Sequence, residues 1–172
     1  MLRQTAFGFA LSMLVLASGL TTSAIRGNTS TSNQVALSTT TVKTTDLEKS
    51  VFNQINRYRV TKGLSKLSLS SKISRQARIH SQNMASGQAP FSHKGFEQRV
   101  NAIPIPYRSA AENLAFNRGY SDPANEAIID WIHSPGHLHN LKGNYNLTGI
   151  GVAANSKGDV YLTQIFLRSR SR

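Results

Sequence analysis

The stretch GIGVAANSKGDVYLTQIFL, residues 149–167, decides the fold class of this chain. Its two halves, 149–154 and 159–167, are mostly apolar, and the tetrad Asn155-Ser156-Lys157-Gly158 between them favours a turn. This pattern predicts a β-hairpin that closes the chain. In the second half apolar and polar residues alternate, although the alternation breaks near Gln164.

Three helices are predicted ahead of the hairpin. Apolar residues recur at helical spacing over residues 46–61, which predicts an amphipathic helix. Ser70 or Ser71 is suited to cap a second helix that ends at Gly87. Asp122-Pro123 is an N-cap and first-turn pair, and it predicts a third helix that must stop at the Ser134-Pro135-Gly136 sequence.

The segment between the second and third helices gives no regular pattern. Over residues 99–119, the run Ile103-Pro104-Ile105-Pro106 is extended, and its prolines exclude a central strand. The order helix, helix, irregular segment, helix and two strands predicts an α+β fold. Helices are expected to pack on a small, mainly antiparallel sheet.

Composition limits the class of protein further. The chain has 172 residues, with 20 Lys and Arg against 8 Asp and Glu, so its formal net charge is +12. No cysteine is present, which excludes disulfides, thiolate metal sites, iron–sulfur clusters and a cysteine nucleophile. A basic excess of this size predicts attraction to anionic partners.

The N-terminus resembles an export signal. Residues 1–24 hold Arg3, an apolar run of 14 residues from Phe7 to Leu20, and small residues before a cleavage site after Ala24. A retained membrane anchor is the alternative, but a spanning helix needs about 20 apolar residues. We expect cleavage, which removes one Arg and leaves 19 − 8 = +11.

The rest of the chain divides into three parts. Residues 25–45 are rich in Ser, Thr and Asn and predict a disordered linker. Residues 46–168 predict one folded domain, in which 15 basic and 8 acidic residues leave +7. Residues 169–172 predict a short, solvated basic tail.

Two ionisable residues stand in unusual surroundings. His93 follows Pro90 on a predicted loop between Phe91 and Phe96, where it either lines a pocket or bonds to local backbone. Glu112 lies inside an apolar run, and if it is buried it needs a cation or a metal beside it. The alternative is an edge position that points outward.

Three further histidines follow one another at the end of the third helix. The spacing of His133 and His137 matches two metal ligands on one helical face, but Pro135-Gly136 destroys that geometry. We expect His137 to turn inward while His133 and His139 stay solvated. His80 falls on the apolar stripe of the second helix, which is typical of a core histidine with a backbone partner.

Signals for a serine nucleophile are weak. Ser92 adjoins His93 and Ser134 precedes His137, yet neither lies in a G-x-S-x-G turn. The basic residues are densest from 57 to 78, where we expect the solvated faces of two helices rather than one binding patch. This basic run contains Arg57, Arg59, Lys62, Lys66, Lys72, Arg75 and Arg78.

These clusters, in this order, resemble the bacterial branch of the CAP superfamily: cysteine-rich secretory proteins, antigen 5 and pathogenesis-related proteins. The resemblance runs from Val51 to Phe166. The motifs that support it are Asn56-Arg57-Tyr58-Arg59, Ala77-Arg78 with His80-Ser81 and Asn83-Met84-Ala85, Ser92-His93, Ala111-Glu112-Asn113-Leu114, Trp131 with Ser134-Pro135-Gly136-His137 and Asn140-Leu141, Gly149-Ile150-Gly151-Val152, and Tyr161 with Thr163-Gln164-Ile165-Phe166.

The resemblance implies a three-layer α-β-α sandwich and a central cleft that two His and two Glu build in many relatives. Carried onto this sequence, these are His93, Glu112 and His137, with Asn113 beside them. Ser134 stands where animal and plant relatives have the second Glu, so the set of four is incomplete. Glu126 and Asp130 are near in sequence, but neither matches that position.

This resemblance also frames the cofactor. His93 and His137, with Glu112 as a third ligand, would form a His₂Glu set of the kind that holds Zn²⁺. The loss of the second carboxylate lowers the negative charge of such a site and removes one candidate general base. A divalent cation such as Zn²⁺ is therefore an expectation, weakened by Ser134.

Two functions compete most strongly. The first is a secreted binding module that takes a cation, a lipid or a small ligand and stays near anionic cell-envelope polymers, either extracellular or in the periplasm. The second is a metal-assisted hydrolase, a peptidase, with His93, Glu112 and His137 as candidate catalytic residues. Nucleic-acid binding is disfavoured because aromatic residues do not interleave with Lys and Arg and because export is predicted. No membrane span is expected after signal cleavage.

Overall fold

The computed structural model describes residues 43–170. The predicted signal, residues 1–24, most of the predicted linker, and the last two residues of the predicted tail lie outside the described residues. Within them the chain forms five helices and four strands: α1 (Thr44–Thr61), β1 (Ser68–Leu69), α2 (Ser71–Ala85), α3 (Phe96–Asn101), β2 (Tyr107–Asn117), α4 (Pro123–His133), α5 (Pro135–Lys142), β3 (Leu147–Ala154) and β4 (Val160–Ser169).

The sheet has the order β1-β3-β4-β2, so β2 forms one edge and the short β1 the other. β4 pairs antiparallel with both β2 and β3, and β1 pairs parallel with β3. The predicted hairpin and its turn are confirmed, because Gly158 donates its N–H to the carbonyl of Asn155 at 3.0 Å. The sheet is mixed rather than wholly antiparallel.

Helices cover both faces of the sheet, which confirms the α-β-α sandwich. On one face α1, α4 and α5 pack around the fully buried Trp131. On the other face α2 and α3 pack against Ile165 and Leu167 of β4. Because both faces are buried, strict alternation is not required, and Gln164 points into the first layer, where its Nε2 donates to Thr148 Oγ1 at 3.1 Å.

Two glycines of β3 allow α2 to lie directly on the sheet. A Cβ atom at Gly149 would overlap the backbone of Ile73 and Ser74, and one at Gly151 would overlap the backbone of Ala77 and Arg78. The Gly149-Ile150-Gly151 sequence therefore sets the closeness of the α2 layer.

Several boundaries differ from the sequence predictions. α1 begins at Thr44 rather than residue 46. Residues 96–101 form α3 and residues 107–117 form β2, both within or beside the segment that gave no pattern. α5 begins at Pro135, because proline suits the first turn of a new helix as well as it ends the old one.

The predicted tail is also shorter than expected. Ser169 belongs to β4, and Arg170 donates its backbone N–H to the carbonyl of Pro106 at 2.9 Å. The domain therefore extends at least to Arg170. No helix between residues 43 and 170 is long and apolar enough to cross a membrane.

Candidate functional site

Glu112 lies on the edge strand β2, opposite Ile165 of β4. Its neighbours Ala110 and Leu114 point to the α2 and α3 side of the sheet, and Glu112 shares that direction because side chains alternate along a strand. Its side chain is only 1% exposed. The outward-pointing alternative is wrong, and the expectation that a buried Glu112 needs a cation applies.

That cation is Arg99 of α3. Its Nε donates to Glu112 Oε2 at 3.0 Å and its Nη2 to Oε1 at 2.7 Å, which is a two-point guanidinium–carboxylate pair. Nη1 of the same side chain donates to the carbonyl of Lys94 at 2.8 Å, so Arg99 also fixes the loop that carries His93.

His93 completes the cluster from the loop before α3. Its Nδ1 lies 2.9 Å from Glu112 Oε1. An ionised carboxylate only accepts hydrogen bonds, so Nδ1 is the donor, and in the neutral imidazole Nε2 then carries the lone pair. The His93 side chain is 55% exposed, which leaves Nε2 accessible.

His137 approaches from α5 through backbone contacts. Asn113 Nδ2 donates to the carbonyl of His137 at 3.2 Å, and Asn140 Nδ2 donates to Asn113 Oδ1 at 2.9 Å. His137 Nδ1 is buried and has no hydrogen-bond partner. Burial, followed by the nearby charge of His93, lowers the pKa of His137.

His80 lies behind this cluster on α2. It is 4% exposed, and its Nε2 donates to the carbonyl of Ser92 at 3.0 Å. Burial and then the charge of Arg99 lower the pKa of His80. The prediction of a core histidine with a backbone partner is confirmed, and this contact positions the residue before His93.

The remaining histidines and Ser134 lie at the edge of the candidate site. His133 is exposed and bonds to Ile129 of its own helix at 2.9 Å, and His139 is also exposed. Ser134 joins α4 to α5, where its carbonyl accepts from Leu138 N at 2.8 Å and its side chain makes no capping bond. His137 alone of the three turns inward, as predicted.

The two phenylalanines beside His93 have different surroundings. Phe96 packs against the α2 and α3 core, whereas Phe91 is 51% exposed. Phe91 lies 6.3 Å from the ring centre of Phe116, which in turn lies 5.1 Å from that of Tyr161. Of the two phenylalanines beside His93, Phe91 is therefore exposed and Phe96 belongs to the core.

The residues do not fit a His₂Glu metal set as they are arranged. Both oxygens of Glu112 already accept hydrogen bonds from Arg99, and Oε1 also accepts from His93. Among residues 43–170 no group of three or more His, Asp and Glu side chains is placed to hold a metal ion. A cation held by His93 and His137 alone stays a prediction.

Comparison with known proteins agrees with this architecture. The sequence profile of the CAP family, described as the cysteine-rich secretory protein family, matches residues 52–166. This chain belongs to the CAP family. The uncharacterized protein YkwD of Bacillus subtilis is 32% identical over 122 residues, which is 68% of this chain and 46% of YkwD. The chain thus spans less than half of that relative.

Solved structures share the fold at lower identity. An outer surface protein of Borrelia burgdorferi is 16% identical with a TM-score of 0.64, and the match covers 73% of this chain and 94% of that one. An extracellular SCP-domain protein of Bacillus anthracis is 24% identical with a TM-score of 0.61, covering 73% and 41%. These likenesses establish the fold.

Sequence reasoning missed Arg99. The burial of Glu112 implies a cation, but the chain has 20 Lys and Arg, and Arg99 lies 13 residues away on a helix that was not predicted. Glu112 itself was the sequence signal for a buried charge, but its partner can be identified only from the packing of α3 against β2.

Proposed function

We propose that this protein is a non-catalytic, extracellular binding module of the CAP family, whose ligand is contacted at the cleft of His93, Glu112, Asn113 and His137. The observation that supports this proposal most is that the buried Glu112 is paired with Arg99. Its two oxygens are held by Arg99 in a buried site, so a proton or a metal ion would have to displace the guanidinium. Leaving one member of a buried ion pair without its partner costs about 3–5 kcal/mol.

The histidines are the groups left to meet a ligand. His93 is oriented through Nδ1 by Glu112, which leaves Nε2 free to accept a hydrogen bond or to bind a cation. His137 offers a buried Nδ1 without a partner. We propose that a small polar ligand or a divalent cation bridges the two imidazoles.

The basic balance supports a location near anionic material. Residues 46–168 carry +7, and the predicted export signal would deliver the domain to the cell envelope. We propose anionic envelope polymers as partners of this surface. Their binding should weaken steeply with added salt, because exposed charges are screened.

A matched pair of variants tests the cleft. Calorimetry with Zn²⁺ should detect binding by the wild type and by His133→Ala, whose imidazole bonds only within α4, and lose it in His93→Ala. Equal binding by all three proteins would remove the two-histidine cation site.

A hydrolase is the second candidate, and the Glu112–His93 contact favours it. A carboxylate that orients an imidazole is the supporting half of an acid–base arrangement. No hydroxyl within residues 43–170 is hydrogen-bonded to His93, however. Digestion of a peptide library decides: cleavage by the wild type that His93→Ala lacks would overturn the binding proposal, and no cleavage above background by either protein supports it.

A further inference from the structure

A polar recess lies at the C-terminal end of α5, whereas His137 lies near the start of that helix. It has a volume of about 300 Å³ and is enclosed by the C-terminal end of α1, the loop after it, the loop between α5 and β3, and the end of β4. Four basic side chains line it, and we call it the cation-lined cavity. They are Arg59, Lys66, Lys142 and Arg168.

Arg59 forms the buried part of this cavity. The residue is 2% exposed, and its Nε donates to the carbonyl of Ser65 at 2.9 Å. Its Nη1 donates to the carbonyls of Leu141 at 2.7 Å and Gly143 at 3.0 Å, while Nη2 has no hydrogen-bond partner among the described residues. Burial lowers the pKa of Arg59. The expectation of a solvated Arg59 is wrong.

No anion compensates these cations within residues 43–170. None of the residues that line the cavity is acidic. The three buried carboxylates are paired with other arginines: Glu48 with Arg78, Glu112 with Arg99, and Asp159 with Arg118. A recess lined by charge of one sign concentrates the counter-ion.

We propose that the cation-lined cavity is a binding site for a phosphate group. The unpartnered Nη2 of Arg59 would donate from the buried side, and the other three cations would surround the remaining oxygens. Arginine and lysine together are well suited to phosphate, since arginine adds directional donors and lysine a mobile charge. A volume of about 300 Å³ is at the lower end for ligand pockets and suits a small phosphate ester.

Phosphate binding does not depend on the cleft or on its ligand. Only one source of the phosphate, a phosphodiester wall polymer, rests on the envelope location proposed above. The other source is a free phosphate ion or a small ester. All present the same group to the cavity, and the experiment separates them.

Calorimetry tests the site with inorganic phosphate, glycerol 3-phosphate and poly(glycerol phosphate), each at about 0.15 M sodium chloride, where charges more than roughly 8 Å apart are largely screened. The variants are Lys142→Ala and Lys66→Ala, both at exposed positions, so that folding is preserved. Lys72→Ala is the matched control, because it removes the same charge from an exposed site outside the cavity.

We expect the wild type and Lys72→Ala to bind at least one of the three probes with similar affinity. Lys142→Ala and Lys66→Ala should each bind about tenfold more weakly, as for the loss of one charge-assisted contact. Binding of inorganic phosphate alone assigns the site to the free ion, and binding of the polymer assigns it to a phosphodiester. Equal weakening in Lys72→Ala, or no binding of any probe, would overturn the proposal.

Discussion

The cleft around Glu112 and the cation-lined cavity around Arg59 both contain a buried charged group, but the charge is compensated differently in each. At the cleft, a carboxylate that is 1% exposed is met by the guanidinium of Arg99 and the imidazole of His93. At the cavity, a guanidinium on a residue that is 2% exposed is met, among residues 43–170, only by three backbone carbonyls. Within the described part of the chain, the first charge is compensated by an opposite charge and the second is not.

The buried charge at the cleft therefore has a structural role, whereas the charge at the cation-lined cavity is available to a ligand. A compensated pair fixes α3 and the His93 loop against β2, but its charges are no longer available to a ligand. Uncompensated cations around a recess retain their attraction for an anion.

The largest effect should come from removing the cation of the compensated pair. Arg99→Met leaves Glu112 buried without its arginine, and we expect the free energy of unfolding to fall by about 3–5 kcal/mol in denaturant titrations. Arg108→Met, at an exposed position of β2, is the control and should change it by no more than about 0.5 kcal/mol.

The double variant Arg99→Met/Glu112→Leu sharpens this test. It leaves no charge buried at the cleft, so much of the loss should be recovered. A single Arg99→Met variant as stable as the wild type would mean that Glu112 is compensated by other groups.

Removing the uncompensated cation should cost less. Arg59→Met leaves neutral carbonyls rather than a charge without partners, and we expect a loss of about 1–3 kcal/mol. The phosphate probe that binds most tightly in calorimetry should raise the thermal midpoint of the wild type but not of this variant, because a ligand stabilises only the state that binds it. A loss as large as that of Arg99→Met would break the distinction between the two regions.

A smaller effect concerns pH at the cleft. The pKa values of His80 and His137 are lowered, mainly by burial, so the folded protein keeps both neutral where the unfolded chain takes up protons. Stability should therefore be full above the unfolded pKa of about 6.5 and decline as the pH falls below it.

The variant His137→Gln should flatten this decline in denaturant titrations between pH 7 and pH 5. His139→Gln, at an exposed position on the same helix, should leave the slope as in the wild type. A slope that is identical in all three proteins would show that His137 does not contribute to it.

The smallest effect is expected at the rim of the cavity. Lys142 is exposed and makes no ion pair with a described residue, so Lys142→Ala should change the free energy of unfolding by no more than about 0.5 kcal/mol. A loss above 1 kcal/mol would indicate a structural contact in place of a ligand-binding role.

The elements with local signals could be predicted from the sequence. Asp122 caps α4 by accepting from Asn125 N at 3.0 Å, and the Asn155-Gly158 turn closes the hairpin. Family motifs identified His93, Glu112 and His137 as candidate site residues. In the structure, His93 Nδ1 lies 2.9 Å from Glu112 Oε1. These features depend on neighbouring residues or on short motifs.

The features that the sequence did not predict depend on contacts between residues that are far apart in the chain. β2 lacks a periodic pattern because Glu112 and Asn113 are buried on opposite faces as polar residues, each held by partners elsewhere in the chain. Arg59 belongs to a run of basic residues that looks solvated, yet its side chain reaches Leu141, 82 positions away. No local pattern identifies such partners.

One measurement tests the contrast between the two regions directly. Backbone amide NMR spectra recorded during titration with the phosphate probe that binds most tightly in calorimetry should show shifts at Leu64 and at residues 144–146 around the cation-lined cavity. The amides of Lys94, Glu112 and Asn113 at the cleft should stay in place. Shifts confined to the cleft, or no shifts at either region, would contradict the account.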